Sequence, residues 1–427
     1  MATIIDSTNL GAVPGGVPEN RDRLFLASCV ALIVTSMTFA LRAGILGDLA
    51  ADFGLSDAQL GWVNSMNFFG FPVAMMVGGA IYNKVGPKNL LWLAFASHLL
   101  GLILTITAGG FYGLLISTFL VGFANGSVEA ACNPLIADMY PDKQGEMLNK
   151  FHVWFPGGIV IGSVLAFALG DAVSWQVLIG IILIPTAIYG FLMLGQAFPR
   201  SVNISADTGE NVKGVFTPLF LVIALLMTMT ATTEFGATQW VERILGSAGA
   251  NPMILLAMTA GIMAAGRYFA GPLINSLDTT GVLLGSAILA CAGLFILSSV
   301  TGGMVYVGTA VFALGICYFW PNMLAFTAEN LSSTGALGMS LIGGAGMLGA
   351  GIWNPIIGGW IDSGRQEALA AGLSGEAAEL ATGQAALGNI ALFPLVLIGA
   401  FAILYFFMKR RRKATEAEVL SVPGSAM

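Results

Sequence analysis

The chain has 427 residues, of which 56% are hydrophobic and only 9% charged, with a formal net charge of −6. Apolar residues in long runs at that proportion exclude a soluble globular domain, and the lack of ten-residue alternating segments excludes a transmembrane barrel, so the chain reads as a polytopic helical membrane protein. No nucleic-acid partner is expected, and the spacing of Cys29, Cys132, Cys291 and Cys317 matches neither a zinc site nor a secreted disulfide framework.

The first twenty residues are polar and rich in Pro and Gly, without the basic and apolar regions of a signal peptide, so residues 1–23 read as a loose cytoplasmic tail. Apolar runs long enough to cross a bilayer place six spans near 24–47, 58–82, 89–108, 111–139, 151–170 and 175–198. A polar linker at 199–214 follows and separates two six-helix bundles, 24–198 and 215–408. The second set of spans lies near 215–242, 251–275, 280–299, 303–328, 336–361 and 388–408. Residues 362–387 are too polar to span and read as an Ala/Glu-rich helix or hairpin on the outer surface, broken by Gly and Ser374. Residues 409–427 form a basic tail.

The basic residues orient these spans. Arg21, Arg23, Lys84, Lys88, Lys143, Lys150, Arg200, Lys213 and the run Lys409 to Lys413 fall on one side, which is therefore read as cytoplasmic, with both termini there. Arg243 and Arg365 lie in loops on the other side, and Arg42 and Arg267 lie within spans.

One offset relates the two halves. Met37-Thr-Phe-Ala-Leu-Arg42-Ala-Gly44 in span 1 matches Met229-Thr-Ala-Thr-Thr-Glu234-Phe-Gly236 in span 7 at a shift of 192 positions, and the same shift carries Gly79-x-x-x-Asn83 onto Gly271-x-x-x-Asn275. Arg42 and Glu234 are thus equivalent in the two repeats. Facing each other across a path they would form a gate that breaks and reforms, or a static interhelical bridge.

The end of span 2 reads Gly79-Ala-Ile-Tyr-Asn83-Lys84-Val-Gly86-Pro-Lys88. This resembles the G-x-x-x-D-R-x-G-R-R signature between helices 2 and 3 of the major facilitator superfamily, with Asn83 in place of the usual Asp. Gly266-Arg267 with Gly271 resembles a decayed second copy, which makes Arg267 a gate residue with Glu329 as its partner. The resemblance implies an all-α membrane protein of twelve transmembrane helices in two six-helix pseudo-repeats, a monomer that moves a small solute through a cell inner membrane by alternating access. It implies neither an enzyme nor a cofactor or metal.

Within that superfamily, Glu129-Ala-Ala131-x-Asn133-Pro134, the Leu148-Asn149 pair and Gly157-Gly158 resemble the fucose-galactose-glucose:proton symporter branch. Glu234 through Trp240, and Phe319-Trp320-Pro321 with Gly343-Gly344, follow that branch more loosely. The resemblance implies proton-coupled symport, with a monosaccharide as the first expectation and Glu129 as proton carrier. One departure is that span 1 holds no acid before Asp48 and instead carries Arg42, which resembles the organic-anion symporters of the superfamily and points to a carboxylate as the alternative substrate.

The residues support a path on their own terms. Asn125, Glu129 and Asn133 recur every four positions and form one polar stripe on span 4, which cannot face lipid. His152, at the start of span 5, is placed to relay protons or to make a local hydrogen bond. His98 in span 3 has no polar stripe around it and reads as structural. Asn64, Asn67, Asn125, Asn133, Thr230, Gln239, Trp240, Trp320 and Asn322 supply amides, a hydroxyl and indole faces suited to a hydroxyl-rich solute, or to helix packing. Neither a phosphate loop nor a nucleophile triad is present, which argues against an ATP-driven pump or a hydrolase.

Overall fold

In the computed structural model, residues 19–140, 144–199, 213–331 and 334–421 are described. Most of the 1–23 tail and of the 199–214 linker lies outside them, as do Lys143, Arg200 and the side chain of Asn83.

Every regular element among the described residues is a helix. Ten are long and apolar enough to cross a membrane. The other two of the twelve positions are filled by the part of Asp57–Ile106 that precedes Gly86 (helix 2) and by the 17-residue apolar helix Pro252–Tyr268 (helix 8). Helix 1 is Arg21–Ala43, helix 4 Phe111–Met139, helix 7 Pro218–Thr238 and helix 11 Gly335–Ala370. Helix 5 is built from Gln144–His152 and Trp154–Leu169, and helix 10 from Met304–Ile316 and Phe319–Asn330. Helix 9 lies within Ala270–Leu297.

Local sequence explains the ends. Ser56 and Gln59 form a reciprocal capping box at the start of helix 2. Thr217 and Asn251 cap helices 7 and 8, and each is followed by a proline, whose missing N–H is of no consequence in a first turn.

Spans 2 and 3 are two helices within Asp57–Ile106 that meet at a tight non-helical break at Gly86, where φ is 79°. The equivalent break in the second half falls at Asp278, φ 54°, again 192 positions on. Asp278 is the one non-glycine residue with positive φ among those described. Its Oδ1 accepts from the N–H groups of Thr280 and Gly281 and from Thr280 Oγ1, so the strained backbone is held by a cap on the helix that follows.

Glycines bring the helices of each half close together. A Cβ on Gly101 would press on the backbone at Leu120 and Val121, and one on Gly293 on the backbone of Phe312, the same contact shifted by 192 residues. Gly122 and Gly126 likewise lie against the backbones of Asn67 and Phe71. Gly126→Val is expected to lower the thermal unfolding midpoint in detergent, at a cost of about 1–3 kcal/mol or more, because main chain rather than a flexible side chain would have to yield.

The polar stretch after span 11 is helical, as its composition suggests, and forms a hairpin. Helix 11 continues unbroken to Ala370, the chain turns at Gly372 (φ 85°), and Gly375–Ile390 returns toward helix 12 (Leu392–Ser421). Arg365 Nε bonds Glu379 Oε1 at 2.7 Å and ties the two arms of this hairpin together.

Candidate functional site

Between the two halves lies a central cavity of about 710 Å³, counting the space at its mouth that is open to solvent. Helices 4, 8 and 10 contribute residues late in their sequence, and helices 5 and 11 residues early in theirs, so the cavity occupies the end of the bundle that carries the termini. Its polar wall consists of Glu129, Asn133, His152, Glu234, Arg267 and the indole of Trp320; Phe71, Phe155 and Phe235 give it aromatic faces.

Three of these groups form a chain. Asn133 Nδ2 donates to Glu129 Oε2 at 2.7 Å, and His152 Nε2 lies 3.1 Å from Asn133 Oδ1. The stripe on helix 4 thus connects a nearly buried carboxylate, 8% exposed, to an imidazole at the mouth of helix 5. On the opposite wall Arg267 Nε donates to the carbonyl of Cys317 at 3.0 Å, and its guanidinium makes no ion pair among the described residues.

Above the cavity three phenylalanines close the path. Phe39, Phe68 and Phe235 pack with ring centroids 5.1 to 5.9 Å apart, one from each of helices 1, 2 and 7. Beyond this plug lies Arg42, which is 6% exposed. Its Nε donates to Asn64 Oδ1 at 2.9 Å, its Nη2 to Gln239 Oε1 at 3.0 Å, and it rests over the Phe39 ring.

The end opposite the termini is sealed by charges that cross between the halves. Asp57, whose side chain is fully buried, receives Nε and Nη2 of Arg243 at 2.7 and 2.9 Å and Nη1 of Arg365 at 2.8 Å. Asp362 returns the contact by accepting the backbone N–H groups of Asp57 and Ala58 at the start of helix 2. Gly61 and Gly358 allow helices 2 and 11 to approach at backbone distance, and Ser65 Oγ reaches the carbonyl of Gly351 at 2.6 Å.

Glu242, in the short helix Val241–Leu245 beyond the end of helix 7, accepts the N–H of Gly47 at 2.8 Å. Burial pushes its carboxyl up to about 7, against the Gly47 hydrogen bond and the charge of Arg243, with Asp48 and Asp57 adding to the rise. A carboxyl raised in the closed state and ordinary when solvated binds more protons closed than open, so its contribution to closure is full below about pH 4.5 and is lost as pH rises to about 7. Amide-exchange protection of Leu46–Phe53, corrected for the intrinsic rate, is expected to fall between about pH 4.5 and pH 7, and Glu242→Gln is expected to flatten that dependence.

Several expected site residues lie elsewhere. Arg42 and Glu234 do not pair; Gln239 stands between them because its amide oxygen takes the guanidinium. Arg267 does not meet Glu329, whose carboxylate accepts from Thr279 Oγ1 at 3.0 and 3.2 Å. Asn64 is taken up by Arg42, and Trp240 Nε1 donates to Asn354, away from the cavity. Thr230 and Asn322 bond carbonyls of their own helices. Asn125 and Asn67 belong to a buried network around His98, which is not isolated. His98 Nε2 lies 2.8 Å from Asn125 Oδ1 and Nδ1 lies 3.0 Å from the Tyr189 hydroxyl, while Asn125 Nδ2 donates to Thr38 and Asn67. Of the expected solute ligands, Asn133 and Trp320 line the cavity.

The seal at Asp57, Arg243 and Arg365 was not expected. Its signal was present: the two basic residues on the sparsely charged side of the chain both reach one aspartate at a helix start.

The sequence profile of the Major Facilitator Superfamily matches residues 24–353. The chain is 25% identical over 419 residues to the 3-(3-hydroxy-phenyl)propionate transporter of Escherichia coli K12, covering 92% of this chain and 96% of that protein. Other matches are partial: the galactose-proton symporter of the same organism is 25% identical over 41% of this chain and 37% of that protein, and the multidrug resistance protein 3 of Bacillus subtilis is 26% identical over 35% and 30%. Among solved structures, the nucleoside transporter NupG superimposes with a TM-score of 0.69 at 13% identity, covering 91% of this chain and 99% of that one. The D-xylose-proton symporter does so at 0.69 and 13%, over 87% and 97%. With the profile spanning three-quarters of the sequence and the whole-chain superpositions agreeing, the protein is a transporter of the Major Facilitator Superfamily.

Proposed function

We propose that the protein carries a small organic anion, a carboxylate with an apolar or aryl body, together with protons across a cell inner membrane by alternating access, and that it stands inward-facing here. Arg267 carries this reading. It is a guanidinium in the central cavity without an ion pair among the described residues, beside the aromatic faces of Phe71, Phe155, Phe235 and Trp320. A carboxylate suits the fork of Arg267, and an aryl body suits those faces. The whole-length relative, named for an arylpropionate, supports the same choice.

A monosaccharide fits less well. Sugar recognition needs several amides and hydroxyls turned to the solute, and Asn64, Asn67, Asn125, Thr230 and Asn322 do not line the central cavity. Nor does Arg42 serve as the anion ligand in this state, because it lies behind the phenylalanine plug. The basic residues at the open end make that end cytoplasmic, with both termini there.

Glu129 carries a proton, and Asn133 and His152 join it to the open mouth. Glu129→Gln is expected to retain anion exchange at equal pH across the membrane while losing at least about 10-fold of uptake driven by an inward proton gradient. Retention of both activities would remove Glu129 from the mechanism. The substrate class is tested in proteoliposomes offered radiolabelled 3-phenylpropionate, D-galactose and D-xylose under the same gradient. Accumulation of the carboxylate alone is expected; accumulation of a sugar alone would reverse the assignment.

A further inference from the structure

Glu234 occupies an unusual position between two spaces. One side of its residue lines the central cavity with Arg267. The other lines a separate small cavity among helices 1, 5, 7 and 8, bordered by Ala40, Thr238, Gln239 and Thr259. That second space is just large enough for a water molecule. Glu234 is 6% exposed, and its Oε2 has no hydrogen-bond partner among the described residues.

A buried carboxylate oxygen without a donor is costly unless it serves a ligand that comes and goes. The nearest cation toward the sealed end is kept from it. Arg42 donates to Gln239, and Gln239 lines the same small cavity as Glu234, so a neutral amide separates the two charges. Direct pairing would hold the carboxylate ionised throughout the cycle, whereas the intervening amide leaves it free to take up and release a proton. The charged and titratable groups facing it from the packed helices are Arg267 on helix 8, the Cys317 thiol between the two segments of helix 10, Glu129 on helix 4 and His152 on helix 5 across the cavity, and Arg42 on helix 1 beyond Gln239.

We propose that Glu234 is a second proton-binding site, loaded through the water-sized cavity when the sealed end opens and unloaded into the central cavity when the termini end opens, so that the cycle moves two protons with each monovalent anion. In the loading step a proton passes from cavity water to Glu234 Oε2; in the unloading step it passes from that oxygen to water beside Arg267. Glu129 carries the other. The inference rests on the proton-coupled anion reading above, and it predicts that each turnover carries one net positive charge inward.

Membrane potential tests it directly. Proteoliposomes holding the full chain are given a potassium diffusion potential, inside negative, and 3-phenylpropionate accumulation is followed at a fixed proton gradient. One net charge raises the limiting accumulation about 50-fold for each 100 mV. In Glu234→Gln the cycle keeps one proton and becomes electroneutral, so accumulation is expected to lose its potential dependence while remaining driven by the proton gradient. Glu234→Asp is expected to restore the dependence and so separate loss of a carboxyl from loss of fold. A potential-independent native protein, or a Glu234→Gln variant that still responds to potential, would overturn the proposal and leave proton-coupled anion transport standing. Absence of 3-phenylpropionate uptake by the native protein under every condition would instead overturn the transport reading on which the proposal depends.

Discussion

Arg267→Gln is expected to weaken carboxylate binding by at least about 30-fold, because truncating one partner of a buried charge pair costs about 2 kcal/mol or more. Arg267→Lys is expected to recover only part of the loss, since an ammonium keeps the charge but gives up the planar fork that matches a carboxylate and the Nε contact to the Cys317 carbonyl. Isothermal titration of purified protein with 3-phenylpropionate reads both effects. Uncharged 3-phenylpropanamide is expected to bind the native protein and Arg267→Gln about equally, because the aromatic wall is unchanged between them. An Arg267→Gln protein that binds the acid as tightly as the native chain would move the anion site elsewhere.

The second large effect is expected at the sealed end. Asp57→Asn removes the one carboxylate that holds both Arg243 and Arg365, whose side chains are 22% and 24% exposed; Arg365 keeps Glu379, and Arg243 is left against a neutral amide. Breaking a fully buried pair costs about 3–5 kcal/mol, and partial solvation of the arginines reduces this to about 2 kcal/mol, a shift of about 30-fold toward opening of this end. Spin labels at Ala51→Cys and Glu376→Cys report it, since both positions are exposed on opposite halves and the four native cysteines are buried. The native background is expected to show a single short distance, and Asp57→Asn a second, longer population. An unchanged distance distribution would mean that helix packing at Gly61 and Gly358 alone keeps the end shut.

Much of the fold was legible because a bilayer leaves few choices. Apolar length places the spans, and one offset exposes the duplication, which the positive-φ breaks at Gly86 and Asp278 repeat in the backbone. The polar stripe of helix 4 was legible for the same reason, since Glu129 and Asn133 could not face lipid, and the structure brings them together with His152. What stayed hidden was partner choice. An isolated asparagine in a span looks the same whether it meets a solute, as Asn133 can, or is consumed by a neighbour, as Asn64 is by Arg42 and Asn125 is by His98. Arg42 and Glu234 occupy equivalent places in the repeats, yet Gln239, just past the end of helix 7, takes the guanidinium and they do not touch. Arg267 is legible as a charge within a span, but its place on the cavity wall follows from how helices 8 and 10 pack, a long-range fact that no local pattern encodes.

The most direct test of proton-coupled anion transport is internal pH. Proteoliposomes loaded with a pH-sensitive dye, at equal pH on both sides, are challenged with external 3-phenylpropionate while its uptake is counted, and a protein-free control corrects for diffusion of the neutral acid. Internal acidification in step with uptake, abolished by Arg267→Gln, is the predicted result. Uptake without acidification beyond the control would contradict the account.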